Sequence, residues 1–183
     1  MNVTWLDIAG LALIQSPVYR DARGFFVERF KEQALAEHGL RVRFIQDNHS
    51  RSLPRVLRGL HYQTNPSQGK LVSVIRGRVW DVAVDIRPDS PTFGNHFAAE
   101  LSDENGLAMW IPAGFAHGFC VLGDESADLL YKVDAPYQPR GEGGLFWADP
   151  DLAIPWPIAD PIVSPRDAQL GTLADYLQAS RAA

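Results

Sequence analysis

The chain has 183 residues and a formal net charge of -5, with 46% hydrophobic and 21% charged residues. These values suit one globular domain, so we expect a single domain over 1–183 in which 171–183 form a peripheral helix and tail. The negative net charge gives no support for nucleic-acid binding, which requires a basic surface. No uncharged apolar stretch approaches the roughly 18 residues of a membrane span, so we expect no membrane partner.

The cysteine content and the N-terminus both bear on the compartment. Cys120 is the single cysteine of the sequence. It cannot form an intramolecular disulfide, and this favours a reducing compartment. Residues 1–10 lack the basic and apolar regions of a signal peptide. We therefore expect a cytoplasmic protein.

The first elements along the chain are two strands and a short helix. Residues 11–19 and 24–30 have the composition of strands, and the polar segment 20–23 between them predicts a turn. Helix formers fill 31–38 and stop at Gly39, which predicts a short helix that ends there.

The rest of the chain is dominated by short β-type runs. From residue 44 to about 122, such runs alternate with Gly, Pro, Asn and Asp; they include 71–77, 78–86, 96–102 and 107–112. Within 78–86, one strand face carries Val79, Asp81, Ala83 and Asp85. A second β region covers about 127–147, and a last helix covers 173–179. This pattern predicts an all-β fold, a jelly-roll sandwich or barrel with a few short peripheral helices.

Two segments concentrate polar residues within apolar β sequence: 58–63 with 68–70, and 112–119. Both resemble the paired motifs of the cupin superfamily, whose barrels commonly hold a metal between an HxH…E segment and a PxG…H segment. His61 and His117 remain at these positions, but Gln63 replaces the second histidine and Lys70 the glutamate. Divalent ions prefer imidazoles and carboxylates, and an ammonium among the ligands would repel them. We therefore expect a cupin-type fold without a metal.

The residues that remain can exchange protons with a carbon acid. The imidazole of His61 can remove a proton at neutral pH. A nearby lysine, Lys70, can stabilise the oxyanion that forms when a carbon beside a carbonyl loses its proton. Epimerisation also needs an acid on the opposite face of the substrate, and Tyr131 and Tyr137 are the candidates because a phenol stays protonated.

From about residue 13 to 170, the chain resembles the dTDP-4-dehydrorhamnose 3,5-epimerase family. The matching segments are 21–30, 44–52, 56–63, 68–94, 110–119, 131–137 and 147–157. The resemblance implies that C3 and C5 of dTDP-4-dehydro-6-deoxy-D-glucose are inverted to give dTDP-4-dehydro-L-rhamnose. No cofactor is expected, because the reaction involves no net redox change. The resemblance also implies a homodimer in which N-terminal strands are exchanged between sheets.

The same resemblance implies roles for individual residues. His61 would be the base, Asp167 its carboxylate partner, and Tyr131 the acid that reprotonates the opposite face. Lys70 and His117 would lie beside the sugar ring. The remaining sugar-nucleotide contacts would be Arg23, Glu28, Gln46, Asn48, Arg58, Tyr137, Glu142 and Arg166. The three arginines would supply the diphosphate with bidentate donors.

Three alternatives remain open at this point. One is an epimerase that acts at a single carbon of a related 4-keto-6-deoxy sugar nucleotide. Another is a cupin that binds a nucleotide sugar without turning it over, although His61, Tyr131 and Asp167 would then serve no purpose. The third is a metal-dependent dioxygenase or isomerase.

Overall fold

The computed structural model describes residues 1–182, which contain thirteen strands and two α-helices. The strands are β1 (Asn2–Trp5), β2 (Ala12–Gln15), β3 (Val18–Asp21), β4 (Gly24–Val27), β5 (Gln46–Ser52), β6 (Leu57–Gln63), β7 (Lys70–Arg76), β8 (Arg78–Asp85), β9 (His96–Ser102), β10 (Leu107–Ile111), β11 (Phe115–Val121), β12 (Ala127–Val133) and β13 (Glu142–Gly144). The helices are α1 (Glu32–Glu37) and α2 (Leu173–Ala182), and short 3₁₀ turns cover Pro139–Gly141 and Asp167–Gln169. Neither helix is long and apolar enough to cross a membrane.

Two antiparallel sheets form the body of the fold. The six-stranded sheet has the order β1-β2-β10-β7-β12-β5, and the five-stranded sheet has the order β13-β6-β11-β8-β9. Strands β3 and β4 form a separate two-stranded hairpin. The main apolar cluster draws on both large sheets, with Val72 and Met109 from one and Val79 and Phe119 from the other. The prediction of an all-β jelly roll with short peripheral helices is confirmed.

Strand β8 shows how the sequence pattern decides which residues enter the barrel. Val79 and Ala83 belong to the cluster between the sheets, whereas Val82 and Val84 pack on the outer side with Leu173 of α2. Asp81 shares the inward face with Val79 and Ala83, as the alternation predicts, and it is fully buried. A carboxylate therefore points into an otherwise apolar interior.

The network around Asp85 holds the turn that follows β8. Its carboxylate accepts hydrogen bonds from Arg87 Nε at 2.8 Å, Ser90 Oγ at 2.6 Å and Thr92 Oγ1 at 2.6 Å. Burial raises the pKa of Asp85, but these hydrogen bonds outweigh it and lower the pKa to about 2. The carboxylate is therefore ionised at neutral pH and serves as the anchor of this turn.

The structure differs from the sequence prediction mainly at element boundaries. The predicted strand 11–19 is interrupted at Pro17, which lacks the N–H that a continuous strand would donate, and β2 and β3 belong to different sheets. Strand β1 was not predicted, since its residues are mostly exposed and show no apolar alternation. The region 127–147 contains strands only at 127–133 and 142–144.

Candidate active site

A cavity of about 290 Å³ opens between the sheets at the ends of β5, β6, β7 and β12. Its lining residues are Gln46, Asn48, His61, Tyr62, Gln63, Gln68, Lys70, Tyr131, Tyr137 and Glu142. Seven of the residues predicted to act in catalysis or substrate binding are therefore brought together here, from segments far apart in the sequence. The lining combines an imidazole, an ammonium, three phenols and a carboxylate.

His61 lies on β6 and is hydrogen-bonded to Asp167 behind it. The distance from His61 Nε2 to Asp167 Oδ1 is 2.8 Å. The second oxygen of Asp167, Oδ2, accepts a hydrogen bond from the backbone N–H of Gly59 at 3.2 Å. The 3₁₀ turn that begins at Asp167 is itself held by a hydrogen bond from Asp167 N to Ser164 Oγ. The carboxylate is thus buried and has a fixed orientation toward the ring.

The surroundings keep His61 neutral at pH 7. Burial lowers the pKa of His61, and the hydrogen bond and negative charge of Asp167 counteract only part of this effect. The positive charges of Lys70 and Arg166 lower the pKa of His61 further. Because Nε2 donates its hydrogen to the carboxylate, Nδ1 is left as the nitrogen that can accept a proton.

A second histidine–aspartate pair lies next to the first. His117 on β11 is directly opposite His61 on β6. Its Nε2 is 2.9 Å from Asp81 Oδ2, and both side chains are almost completely buried. Among the described residues 1–182, the other oxygen of Asp81 has no hydrogen-bond partner. His117 is thus buried beside His61 and is not among the residues that line the cavity.

Lys70 supplies the cavity with a positive charge. It is partly buried at the start of β7, and its Nζ donates a long hydrogen bond of 3.4 Å to the backbone oxygen of His61. Burial lowers the pKa of Lys70 to about 8, against the opposing charges of Asp81 and Glu142. The side chain is mostly an ammonium at neutral pH, but it is easily deprotonated above that.

Tyr131 on β12 is the third group of the cavity that can transfer a proton. In the sheet it pairs with Asn48 of β5 on one side and Val72 of β7 on the other. Burial raises the pKa of Tyr131, with the positive charge of Arg58 acting in the opposite direction. Its phenol is therefore protonated over the whole neutral range.

The mouth of the cavity is crossed by a chain of three polar side chains. Tyr137 Oη donates to Glu142 Oε2 at 2.8 Å, and Arg166 Nη1 donates to the same oxygen at 3.0 Å. Burial raises the pKa of Glu142, but the hydrogen bonds from Tyr137 and Arg166 outweigh it and hold the pKa below its usual value. Glu142 thus stays anionic and links the 3₁₀ turn before β13 to the loop that carries Asp167.

Arg58 lies in an adjoining cavity of about 370 Å³, which His61, Arg166 and Asp167 also line. Its Nε donates to Ser52 Oγ at 2.9 Å, which ties the side chain to β5. Two guanidinium groups therefore line the cavity that adjoins His61, while Gln46 and Asn48 line the first cavity and are hydrogen-bonded to each other at 2.8 Å.

Two predicted contacts lie elsewhere in the protomer. The side chain of Arg23 is 89% exposed at the turn of the β3–β4 hairpin, where it pairs with Asp21 at 2.6 Å. Glu28 directly follows β4 and is 3.8 Å from Lys31. Neither residue lines the cavity that contains His61. Within one protomer the structure therefore does not bring Arg23 and Glu28 to the site.

The side chains at the cupin metal positions do not suit a metal ion. Both polar atoms of the Gln63 amide are hydrogen-bonded to backbone groups, and Lys70 contributes a cation. The Nε2 atoms of His61 and His117 are each bonded to a carboxylate. Over residues 1–182, no group of three or more His, Cys, Asp or Glu side chains is arranged to hold a metal.

Comparison with known proteins identifies the family. A family model described as dTDP-4-dehydrorhamnose 3,5-epimerase matches residues 5–175. The chain belongs to the dTDP-4-dehydrorhamnose 3,5-epimerase family. It is accordingly an isomerase, and the resemblance inferred from its motifs is confirmed.

Individual relatives agree with this assignment. The dTDP-4-dehydrorhamnose 3,5-epimerase of Pseudomonas aeruginosa is 50% identical over 177 residues, which cover 96% of this chain and 97% of the relative. A crystal structure of the epimerase from Legionella pneumophila in complex with dTDP-4-keto-L-rhamnose is 48% identical, with a TM-score of 0.89 over 94% of this chain and 93% of that chain. A 3'-monoepimerase from Streptomyces bikiniensis in complex with dTDP-quinovose is 33% identical, also with a TM-score of 0.89, over 96% and 89% of the two chains.

Sequence reasoning missed the role of Asp81 as the partner of His117. Its signal was present as an acidic residue in the middle of the strand face of β8 that carries Val79 and Ala83 into the core. An acidic residue on such a face is buried at a cost unless it has a partner, so it indicates a functional or structural pairing.

The geometry predicts that Asp167 determines part of the basicity of His61. In Asp167→Asn, the pKa of His61 is expected to fall below its wild-type value, because the carboxylate raises that pKa through its hydrogen bond and its charge. An NMR titration of the imidazole resonances measures this directly. Asp160→Asn is a suitable control, since Asp160 is exposed and pairs only with Arg55. Equal His61 pKa values in wild type and Asp167→Asn would contradict the assignment.

Proposed function

We propose that this epimerase converts dTDP-4-dehydro-6-deoxy-D-glucose to dTDP-4-dehydro-L-rhamnose by inverting C3 and C5. The observation that carries the proposal is the Asp167-bound imidazole of His61 in the cavity that Lys70 and Tyr131 also line. These are a base, a cation and an acid, which are the three groups that inversion of a carbon beside a ketone requires.

His61 acts as the base. Its lowered pKa leaves the imidazole neutral at pH 7, and the hydrogen bond to Asp167 orients Nδ1 as the accepting nitrogen. When Nδ1 takes a proton from carbon, the ring becomes an imidazolium. The adjacent carboxylate stabilises that charge, as in other histidine–aspartate pairs.

Lys70 stabilises the enolate, and Tyr131 completes the inversion. The C–H bond electrons move into the ring C–C bond while the C4 carbonyl becomes an oxyanion, which the ammonium of Lys70 stabilises. The oxyanion then returns its electrons, and the same carbon takes a proton from the phenol of Tyr131 on the opposite face. Since C3 and C5 both flank C4, one set of groups serves both carbons. Between the two inversions the imidazolium of His61 releases its proton to solvent, and the phenolate of Tyr131 takes one up from solvent.

The remaining cavity residues bind the rest of the substrate. Arg58 and Arg166 in the adjoining cavity suit the two phosphates, because guanidinium groups form bidentate charge-assisted hydrogen bonds. The sugar and the nucleoside find both polar and apolar contacts in the cavity. These are the amides of Gln46 and Asn48, the ring of Tyr137 and the carboxylate of Glu142. His117 does not line the cavity, and its part in the site is to pair with Asp81 beside His61.

An epimerase that inverts one carbon is the second candidate. The similarity to the 3'-monoepimerase favours it, since that enzyme has the same fold over 96% of this chain. The two candidates differ in the number of carbons that they invert, which is two for the 3,5-epimerase and one for the single-carbon enzyme.

The number of carbon-bound deuterons in the product tests the reaction. With dTDP-4-dehydro-6-deoxy-D-glucose in D₂O, we expect one deuteron at C3 and one at C5, because Tyr131 delivers a solvent-derived proton at each inversion. NMR and mass spectrometry of the product give the count. His61→Ala should lower kcat by about 10²–10⁴-fold, whereas the control Asp89→Asn, in an exposed loop, should be normal. One deuteron would support the single-carbon enzyme, and none in wild type would refute epimerisation.

The pKa values of His61 and Lys70 predict a bell-shaped dependence of kcat/KM on pH. Activity should fall on the acid side only below pH 6.5, because the pKa of His61 is lowered and the base is neutral above it. On the alkaline side it should fall near pH 8, where Lys70 loses its proton. In Lys70→Arg the cation persists, so the residual activity should extend to higher pH. An unchanged alkaline limb in Lys70→Arg would exclude Lys70 as the titrating group.

We further propose that the enzyme is a homodimer in which one protomer supplies Arg23 and Glu28 to the cavity of the other. Neither residue lines the cavity of its own protomer, and both lie on or beside a hairpin that also exposes Tyr19, Phe25 and Phe26. An exposed aromatic hairpin is suited to bury itself against a second copy.

Mixed dimers test this arrangement. Arg23→Ala and His61→Ala protomers, unfolded and refolded together, should form heterodimers with one intact site. About a quarter of wild-type activity should therefore return at low substrate concentration. His61→Ala mixed with Asp167→Asn is the matched control, because both changes affect the same cavity and no intact site can form. If the first mixture shows only the average of its separate components, Arg23 acts within its own protomer or not at all.

A further inference from the structure

Gln63 lies in the wall of the cavity, and both polar atoms of its amide are hydrogen-bonded to backbone groups. Gln63 is the last residue of β6 and is 6% exposed. Its Nε2 donates hydrogen bonds to the backbone oxygens of Pro66 at 2.8 Å and Pro136 at 3.0 Å. Its Oε1 accepts a hydrogen bond from the backbone N–H of Gln138 at 2.8 Å.

The two backbone contacts in the later segment flank a single residue, Tyr137. Gln63 therefore holds the peptide group before Tyr137 and the peptide group after it. Tyr137 is itself 57% exposed, and its hydroxyl is bonded to Glu142. The contacts from Gln63 therefore hold the backbone on both sides of a residue that is more than half exposed.

The segment before Tyr137 is held by further contacts from the same edge of the cavity. Gln68 Nε2 donates to the backbone oxygen of Ala135 at 2.7 Å, and Gly69 N donates to Asp134 Oδ1 at 2.7 Å. These bonds end at residue 135, so Gln63 alone among these residues reaches the peptide groups on either side of Tyr137.

We propose that Gln63 is a positioning residue that fixes Tyr137, and through it Glu142, at the mouth of the cavity. It thereby sets the affinity for the sugar nucleotide and not the rate of proton transfer. This inference rests on the proposed function, since it requires Tyr137 to contact the substrate. It also explains why the position of a cupin metal ligand carries an amide, because both polar atoms of that amide are used by the polypeptide.

The chemistry of the three contacts requires glutamine. The position needs an N–H₂ group that donates twice and an oxygen that accepts once. In a glutamate, a carboxylate oxygen would replace Nε2 and would face the carbonyl oxygens of Pro66 and Pro136. An asparagine has the same groups but is one methylene shorter, so it cannot reach both segments together.

The first test compares Gln63→Met and Gln63→Glu with wild type. Losing two to three hydrogen bonds frees the backbone on either side of Tyr137, so KM should rise by about 10- to 100-fold, while kcat changes by less than about threefold. The Kd for dTDP, measured by calorimetry, should rise in parallel. Gln15→Met is the matched control, because Gln15 forms amide-to-carbonyl bonds in a turn with Asn105 that does not line the cavity.

A double-mutant cycle identifies the residue through which Gln63 acts. In a Tyr137→Ala background, Gln63→Met should weaken dTDP binding little further, because the ring that it positions is already absent. Equal effects of Gln63→Met in both backgrounds would overturn the proposal, and so would a wild-type Kd in Gln63→Met or a loss confined to kcat. The Kd measurements need no turnover, so they remain decisive even if the deuterium experiment refutes epimerisation.

Discussion

The close approach of β6 and β11 at Gly59 and Gly118 is the constraint on which the site depends. A Cβ at Gly59 would lie 2.6 Å from the Cα of Gly118, and a Cβ at Gly118 would lie 2.7 Å from the backbone oxygen of Arg58. Both distances are shorter than real side chains tolerate, and Gly59 also has a φ of +115°, which favours glycine. At this contact the register of the two strands shifts, directly beside His61 and His117.

Beside this contact, one carboxylate bridges the backbone and an imidazole. Asp167 accepts a hydrogen bond from the backbone N–H of Gly59 with one oxygen and is hydrogen-bonded to the ring of His61 with the other. The first bond fixes the carboxylate and the second fixes the ring. The orientation of the His61 imidazole is therefore transmitted from the backbone of the barrel through a single buried side chain.

The cavity sets the protonation states of its main groups in advance of any substrate. Burial lowers the pKa values of His61 and Lys70 and raises that of Tyr131. At neutral pH the result is a neutral imidazole, a cation and a protonated phenol within one small space. Such opposed displacements of pKa are typical of acid–base sites. The negative charge of Asp81, the partner of His117, raises the pKa of Lys70 and so opposes part of the effect of burial.

The sequence by itself determined the strands, the motifs and hence the family, because alternation and spacing are local properties of the chain. It predicted which residues of β8 share a face, and the resemblance to the cupin motifs placed His61 and Lys70 in one cavity. Only the tertiary structure decided the partners that no motif implied, which are Asp81 behind His117 and Gln63 around Tyr137. For the pair of His61 and Asp167, which the resemblance implied, it supplied the distance of 2.8 Å. It also decided that Arg23 and Glu28 lie outside the protomer's own cavity. These contacts depend on how the sheets and loops meet in space, which no periodicity within a single strand encodes.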